Sequence, residues 1–197
     1  MKLKSVIVDA DFCIKIGSSS KYRYLERLLP EMAECVYMHK TVYEEILYPL
    51  CVKEQIDFLR KQNVLSLLDE SELFPLEKKI YDGTYQLLSK VMADPRNRRK
   101  NRGEMASLAM AKTKGIPYFA TDEMNLQTIV DKLLNAELDG SIKCIRIEDI
   151  IKKIRDGELD GFKRKEAKVL WVLAGKQKED FDKEVWPVDE KQGKCVC

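Results

Sequence analysis

Histidine, glycine and proline are scarce in this chain: one histidine, nine glycines and six prolines in 197 residues. With His39 as the only imidazole, a two-histidine ribonuclease, an H-E-x-x-H metalloprotease and a three-histidine zinc site are all excluded. Acid–base or metal chemistry must then rest on carboxylates. No G-x-S-x-G elbow offers His39 a nucleophile to serve. Long apolar runs are also missing. The opening MKLKSVIVDADFC has only Val6 to Val8 before its first aspartate, too short for a signal peptide core or a membrane span. The expectation is a cytoplasmic protein with no membrane partner. Nor is there an excess of one charge sign: 35 basic against 33 acidic residues leave a net +2. Any affinity for nucleic acid must come from local clusters of Lys and Arg. Among six cysteines there is no C-x-x-C pair. Cys13, Cys35, Cys51 and Cys144 sit in apolar surroundings at wide spacings and read as buried free thiols. The final Cys195-Val196-Cys197 resembles a double-prenylation signal, but no G-x-x-x-x-G-K-[ST] loop accompanies it, so an exposed tail is expected.

What is present is 45% hydrophobic and 35% charged sequence, enough for the core of one domain with a short appendage. Leu3 to Val8 reads as a buried strand closed by Asp9 and Asp11. An amphipathic stretch from Lys21 to Leu29 stops near Pro30, and Cys35 to Met38 reads as a second strand. Thr41 is placed to cap a helix with Glu44 and Glu45 in its first turn. Ile56 to Arg60 reads as helix, Val64 to Leu68 as a short strand or the helix's continuation. Glu72 to Met92 keeps a helical period at Leu73, Leu76, Ile80, Leu87, Leu88 and Val91, with Gly83 as a weak point. Gly103 to Lys114 is strongly helix-forming and stops at Gly115. Ile116 to Ala120 is a strand, Asn125 to Leu134 a helix, Ile142 to Ile147 a strand. Strands separated by helices predict an α/β sandwich with parallel crossovers. From about residue 148 the chain turns helical and polar, with Phe162, Val169, Leu170 and Leu173 on one helix face, and becomes a charged tail after Gly175.

Functional groups of a parallel α/β sheet gather at the carboxyl ends of its strands. Acids fall at three such places: Asp9 with Asp11, Glu44 or Glu45, and Asp122 with Glu123. Glu104 opens the helix leading to the strand before Asp122. Carboxylates converging on one cleft must either protonate or be neutralised by divalent cations, and an oxygen-only site favours Mg²⁺ or Mn²⁺ over zinc.

Four segments, V-I-V-D-A-D, T-V-Y-E-E-I, R-G-E-M-A-S-L-A-M-A and I-P-Y-F-A-T-D-E-M-N-L, together resemble the PIN domain, a family of metal-dependent nucleases that includes the toxins of bacterial toxin–antitoxin pairs. The resemblance spans roughly Met1 to Ile147. It implies a three-layer α/β/α sandwich with a central, mainly parallel sheet of four or five strands over residues 1–147. A helical extension occupies residues 148–197. It further implies a phosphodiesterase acting mostly on RNA, with Asp9, Glu45, Glu104 and Asp122 holding one or two ions, and Asp11, Glu44, Glu123 and Asn125 as further ligand candidates. Glu45 is preferred to Glu44 because the family acid is commonly followed by an aliphatic residue, here Ile46. The implied partners are RNA, a protein regulator or antitoxin, and a second copy of the chain. Two other functions share these residues. One is a PIN-like RNA-binding or scaffold module that does not cleave. The other is a haloacid-dehalogenase-like phosphatase with Asp9 as nucleophile, which V-I-V-D-A-D-F-C also resembles.

Between Asp94 and Glu104 lie Arg96, Arg98, Arg99, Lys100 and Arg102. They are the candidates for holding RNA phosphates beside an acidic cleft, since a guanidinium fork suits phosphate oxygens. Lys15 and His39 are further candidates for that contact.

Overall fold

The structure, a computed structural model, describes residues 2–97, 99–135 and 140–187. Arg98 and Cys195-Val196-Cys197 lie outside the described residues. The chain divides into two units, Met1–Arg146 and Ile147–Cys197.

The first unit runs β1 (Leu3–Val8), α1 (Ala10–Gly17), α2 (Tyr24–Met32), β2 (Ala33–His39), α3 (Lys40–Glu45), α4 (Leu50–Lys61) and β3 (Leu65–Leu68). A 3₁₀ turn (Glu70–Glu72) then leads to α5 (Pro75–Met92), α6 (Arg102–Lys114), β4 (Tyr118–Ala120), α7 (Leu126–Leu133) and β5 (Lys143–Ile145). The five strands form one parallel sheet in the order β3-β2-β1-β4-β5. Helices cover both faces, giving the three-layer α/β/α sandwich expected from the sequence. β1 is central, and its consecutive Val6, Ile7 and Val8 are each 0% exposed, as a strand covered on both faces requires. One face of the sheet sends Ile7 and Phe119 into a core with Leu88, Leu108 and Val130. α5 and α6 pack together on that side, and α1, α2 and α4 pack on one another as the other helical layer.

Several local expectations are corrected. Pro30 does not stop α2 but sits within it, two residues from its end. Only one intrahelical donor is lost there, and buried Leu28, Leu29 and Met32 hold the last turn in place. Within Val64 to Leu68 the strand is Leu65–Leu68, and α5 passes through Gly83 unbroken. Of the positions expected to keep the α5 period, Leu88 is buried, together with Tyr81 and Met92, whereas Leu76, Ile80, Leu87 and Val91 are exposed.

A fully buried Gln55 ties the first helical layer together. Its amide donates to Gly17 O at 2.8 Å and Cys51 O at 2.9 Å, and its oxygen accepts from Leu25 N–H at 3.2 Å. Gly17 is where the layer closes most tightly. A Cβ there would stand 2.7 Å from Leu25 Cδ1 and 3.1 Å from Val52 Cγ2, both on fully buried side chains. Gly17→Ala should therefore cost about 1–3 kcal/mol by overpacking, read as a lower midpoint in chemical denaturation with an unchanged slope. An unchanged midpoint would show that this layer yields more than its burial suggests.

The second unit contains α8 (Ile147–Arg155), α9 (Arg164–Leu173), α10 (Lys178–Asp180) and a π-helical turn (Phe181–Val185). Ile147, Ile150, Ile151 and Ile154 of α8 are buried, the i, i+3, i+4, i+7 pattern of an amphipathic helix. In α9 Leu170 of the expected face is buried, with Ala167 and Trp171, whereas Val169 and Leu173 are half-buried and Phe162 precedes the helix. Among the described residues no helix is long and apolar enough to cross a membrane.

Candidate functional site

The chain moves outward from β1 to β2 and β3, returns through α5 and α6, and lays β4 on the other side of β1. The strand order therefore reverses between β1 and β4, and a crevice at their carboxyl ends is where an open α/β sheet accepts ligands. Asp9 follows β1 and Asp122 lies two residues past β4. The Asp9 N–H donates to Ala120 O at 3.0 Å, carrying the β1–β4 pairing one residue past the strand. The Asp9 residue is 2% exposed.

The charge of Glu104 opposes the ionisation of both Asp9 and Glu45. Burial pushes the Asp9 carboxyl well above the usual carboxylate range, and the charge on Glu104 adds to this. The backbone N–H of Ala10 partly offsets the rise, and Asp11 adds to it. Glu104, in the first turn of α6, is raised by burial first, against which its own backbone N–H acts, and then by Glu123 and Asp11. Glu45 is raised by burial and then by Glu104, with Arg102 and the Gly103 N–H working the other way. Glu104 is thus the hub, its charge felt by both Asp9 and Glu45.

The choice between Glu44 and Glu45 has a structural basis. Both are at the end of α3, not in its first turn as the sequence suggested, because His39 rather than Thr41 caps the helix. An acid at a helix C-terminus gains nothing from the helix dipole, so capping does not explain Glu45. Its field is shared with Glu104. The charge of Glu44 acts instead on His39 and Lys40.

Asp122 is held differently. Its side chain is 7% exposed and accepts from Lys15 Nζ at 2.9 Å, while the same ammonium lies 2.8 Å from Asp11 one turn earlier in α1. Burial opposes the Lys15 charge, but the bonds to Asp11 and Asp122 outweigh it and hold the ammonium's pKa above its ordinary value. Lys15 therefore neutralises the Asp122 side of the crevice. Glu123 and Asn125 are exposed and, with Asn101 and Glu104, line a recess of about 120 Å³. Among the described residues, no three His, Cys, Asp or Glu side chains form a ready-made metal-coordinating group.

No protein-family model, curated protein or solved structure matches this chain. The site rests on its own geometry.

His39 is corrected as a substrate contact. It is the last residue of β2 and is 0% exposed. Its Nδ1 accepts from Thr41 N–H at 3.1 Å, so the ring proton is on Nε2, 3.3 Å from both Tyr81 Oη and a Glu70 carboxylate oxygen. Burial holds its pKa below the ordinary value despite Glu70 and Asp69 nearby. This is a neutral structural imidazole. Cys13 is likewise inert: burial, then the Asp9 charge, pushes its thiol well up.

The basic segment is ordered by side chain-to-backbone turns. Asp94 Oδ1 accepts from Arg96 N–H at 2.9 Å and Asn97 Oδ1 from Arg99 N–H at 3.1 Å. Arg96, Arg99, Lys100 and Arg102 are exposed. Only Arg102 among them acts on an acid of the cluster, through Glu45. Sequence reasoning missed the aromatic residues beside it. Tyr81 and Tyr85, four apart on α5, were legible as a helix-face pair, but the chain gives no sign that they meet His39 some forty residues earlier.

Proposed function

We propose that this protein is a divalent-metal-dependent phosphodiesterase hydrolysing RNA. The reading is supported by the Glu45 carboxylate lying against Gly103, next to Glu104, and by the charge of Glu104 acting both on Glu45 and on Asp9 at the strand-order reversal. All three have raised pKa values and no cation is paired with them among the described residues. The donors are all hard oxygens, which fit Mg²⁺ or Mn²⁺, and a dication removes the repulsion that the fold otherwise bears. When bound, such ions supply an activated water and charge stabilisation for an in-line displacement at phosphorus. Asp9, whose backbone N–H is bonded to β4, would hold the ion, with Glu45 and Glu104 as further donors from α3 and α6. Asp122 would add a further oxygen donor, and Lys15, now bonded to it, would be in reach of a substrate phosphate. Arg102 holds the next phosphate over the rim.

This reading agrees with the PIN-like order of the four sequence segments. A cytoplasmic RNA pool, an antitoxin-like regulator and a homodimer belong to that same resemblance. A phosphatase with Asp9 as nucleophile is less well served, since the later lysine and acidic-pair motif of that family do not appear in the chain.

The test is incubation of chelator-stripped protein with a mixed set of structured and unstructured RNAs and DNAs, with and without millimolar Mn²⁺ or Mg²⁺, followed by determination of product ends. RNA cleavage only with metal is expected. Absence of hydrolysis under every condition, with Mn²⁺ still bound in calorimetry, would instead support the non-cleaving module.

A further inference from the structure

Beside the acidic crevice, a separate cavity of about 290 Å³ opens between α5, α6 and the start of α3, with Thr41, Glu70, Tyr81, Tyr85, Gln86 and Arg102 in its lining. Tyr81 and Tyr85 line it, and His39, outside the lining, extends them into a ladder of three rings. His39 and Tyr81 are 6.0 Å apart at 11°, and Tyr81 and Tyr85 6.1 Å apart at 23°, all within the range of offset stacking. The ladder is anchored in the core by the fully buried His39, passes through the 4% exposed Tyr81, and ends at the half-buried Tyr85. The last ring is therefore held in place by the two beneath it, a preformed planar surface that loses little freedom on binding.

We propose that this cavity is a nucleobase subsite, in which Tyr85 stacks one unpaired base of the RNA next to the cleaved bond. The inference rests on the nuclease reading for the substrate's identity. Three features support it. The volume is close to the lower bound of small-ligand sites, room for one planar ring system and its waters. The rim offers a hydroxyl, a carboxylate and an amide at Thr41, Glu70 and Gln86, the groups that read base edges. Arg102 belongs to both sites: it lines the cavity and its charge acts on Glu45. A base on Tyr85 would thus have its phosphate carried by Arg102 toward the carboxylates. Because a base can stack there only when unpaired, the subsite selects single strands over duplex.

The test uses the full chain in EDTA, so that nothing is cleaved, with a fluorescein-labelled ten-nucleotide RNA of mixed sequence as a single strand and as a duplex. The single strand should bind more tightly. Tyr85→Phe should match the wild type, whereas Tyr85→Leu should weaken single-strand binding by about 5- to 100-fold. Arg102→Ala should weaken it too and reduce the slope of log affinity against log salt by about 0.7. Tyr85→Trp guards against a folding defect in the leucine variant. Both native tryptophans, Trp171 and Trp186, lie in the second unit, so this substitution places a reporter at the subsite, and RNA should quench it. Unchanged affinity in Tyr85→Leu, or no quenching in Tyr85→Trp, overturns the subsite whether or not the wild type cleaves RNA. If the wild type cleaves nothing with any divalent ion but the Tyr85 variants bind as described, the subsite stands and the nuclease reading falls.

Discussion

Asp9→Asn should abolish metal-dependent RNA cleavage, by on the order of 10³-fold or more, and at the same time raise the melting temperature of the metal-free protein. The first effect follows from removing a charged oxygen ligand at the most rigid point of the crevice, where several kcal/mol of charge stabilisation are at stake. The second follows from the same charge in the absence of metal. Asp9 is buried and lies in the field of Glu104 and Asp11, so its ionised form is a burden that an isosteric amide does not carry. A relief of roughly 1 kcal/mol would raise the melting temperature by ~2–4 °C in a protein of this size. A variant that cleaves as the wild type does, or that melts well below it in EDTA, would remove Asp9 from the site.

The pH dependence gives this prediction its sign. Asp9, Glu45 and Glu104 have folded pKa values above those of the unfolded chain. They therefore stabilise the metal-free protein fully below the unfolded carboxylate range near pH 4, and that stability is lost as pH rises through their raised folded values. His39 runs the opposite way. Its folded pKa is lowered, so its contribution is complete above about pH 6.5 and is lost as pH falls from there toward the folded value. The two trends overlap in mild acid, so the wild-type curve alone does not separate them. The difference between wild type and Asp9→Asn cancels His39, and should shrink toward zero on acidification as the native carboxylates take up protons.

How far the site could be read in advance depended on whether its determinants are neighbours in the chain. Val6 to Val8 announces a buried strand because an unbroken apolar run needs cover on both faces, and the aspartate ending it is placed with it. The helix stop at Gly115 is equally local, since a residue at φ 64° suits glycine. β3 was ambiguous because, of Leu65 to Leu68, only Leu65 is buried, leaving little pattern to separate strand from helix. The position of Glu44 and Glu45 within α3 was misjudged because the cap is an imidazole, and nothing in the local spacing marks His39 as an acceptor for Thr41 N–H. On α5 the aliphatic positions marked the core face only in part: Leu88 is buried as expected, but the core also takes Tyr81 and Met92, while Leu76, Ile80, Leu87 and Val91 are exposed. Lys15 could be suspected of meeting Asp11 at i,i+4, but its bond to Asp122 spans 107 residues and exists only through the β1–β4 adjacency.

Gly103→Ala should lower RNA cleavage by about 10²-fold while leaving stability nearly unchanged. Gly103 opens α6 immediately before Glu104, and a Cβ built there stands 2.4 Å from Glu45 Oε2 and 3.1 Å from Val42 Cγ2. The first contact is impossible, so one partner must move. The carboxylate is the free end of a flexible side chain and will be the one to swing away. A displacement of about 1 Å in a reacting or ligating group costs on the order of 10²-fold in rate. Stability behaves differently because two small effects oppose. The squeeze on buried Val42 is unfavourable, while alanine in place of glycine within a helix gains roughly 0.5–1 kcal/mol. Thermal melts should therefore differ from wild type by only a few degrees, with the loss confined to turnover and to Mn²⁺ affinity. Wild-type cleavage in a well-folded Gly103→Ala protein would mean that Glu45 is not a ligand, and that Gly103 is small only to let α6 lie close against α3.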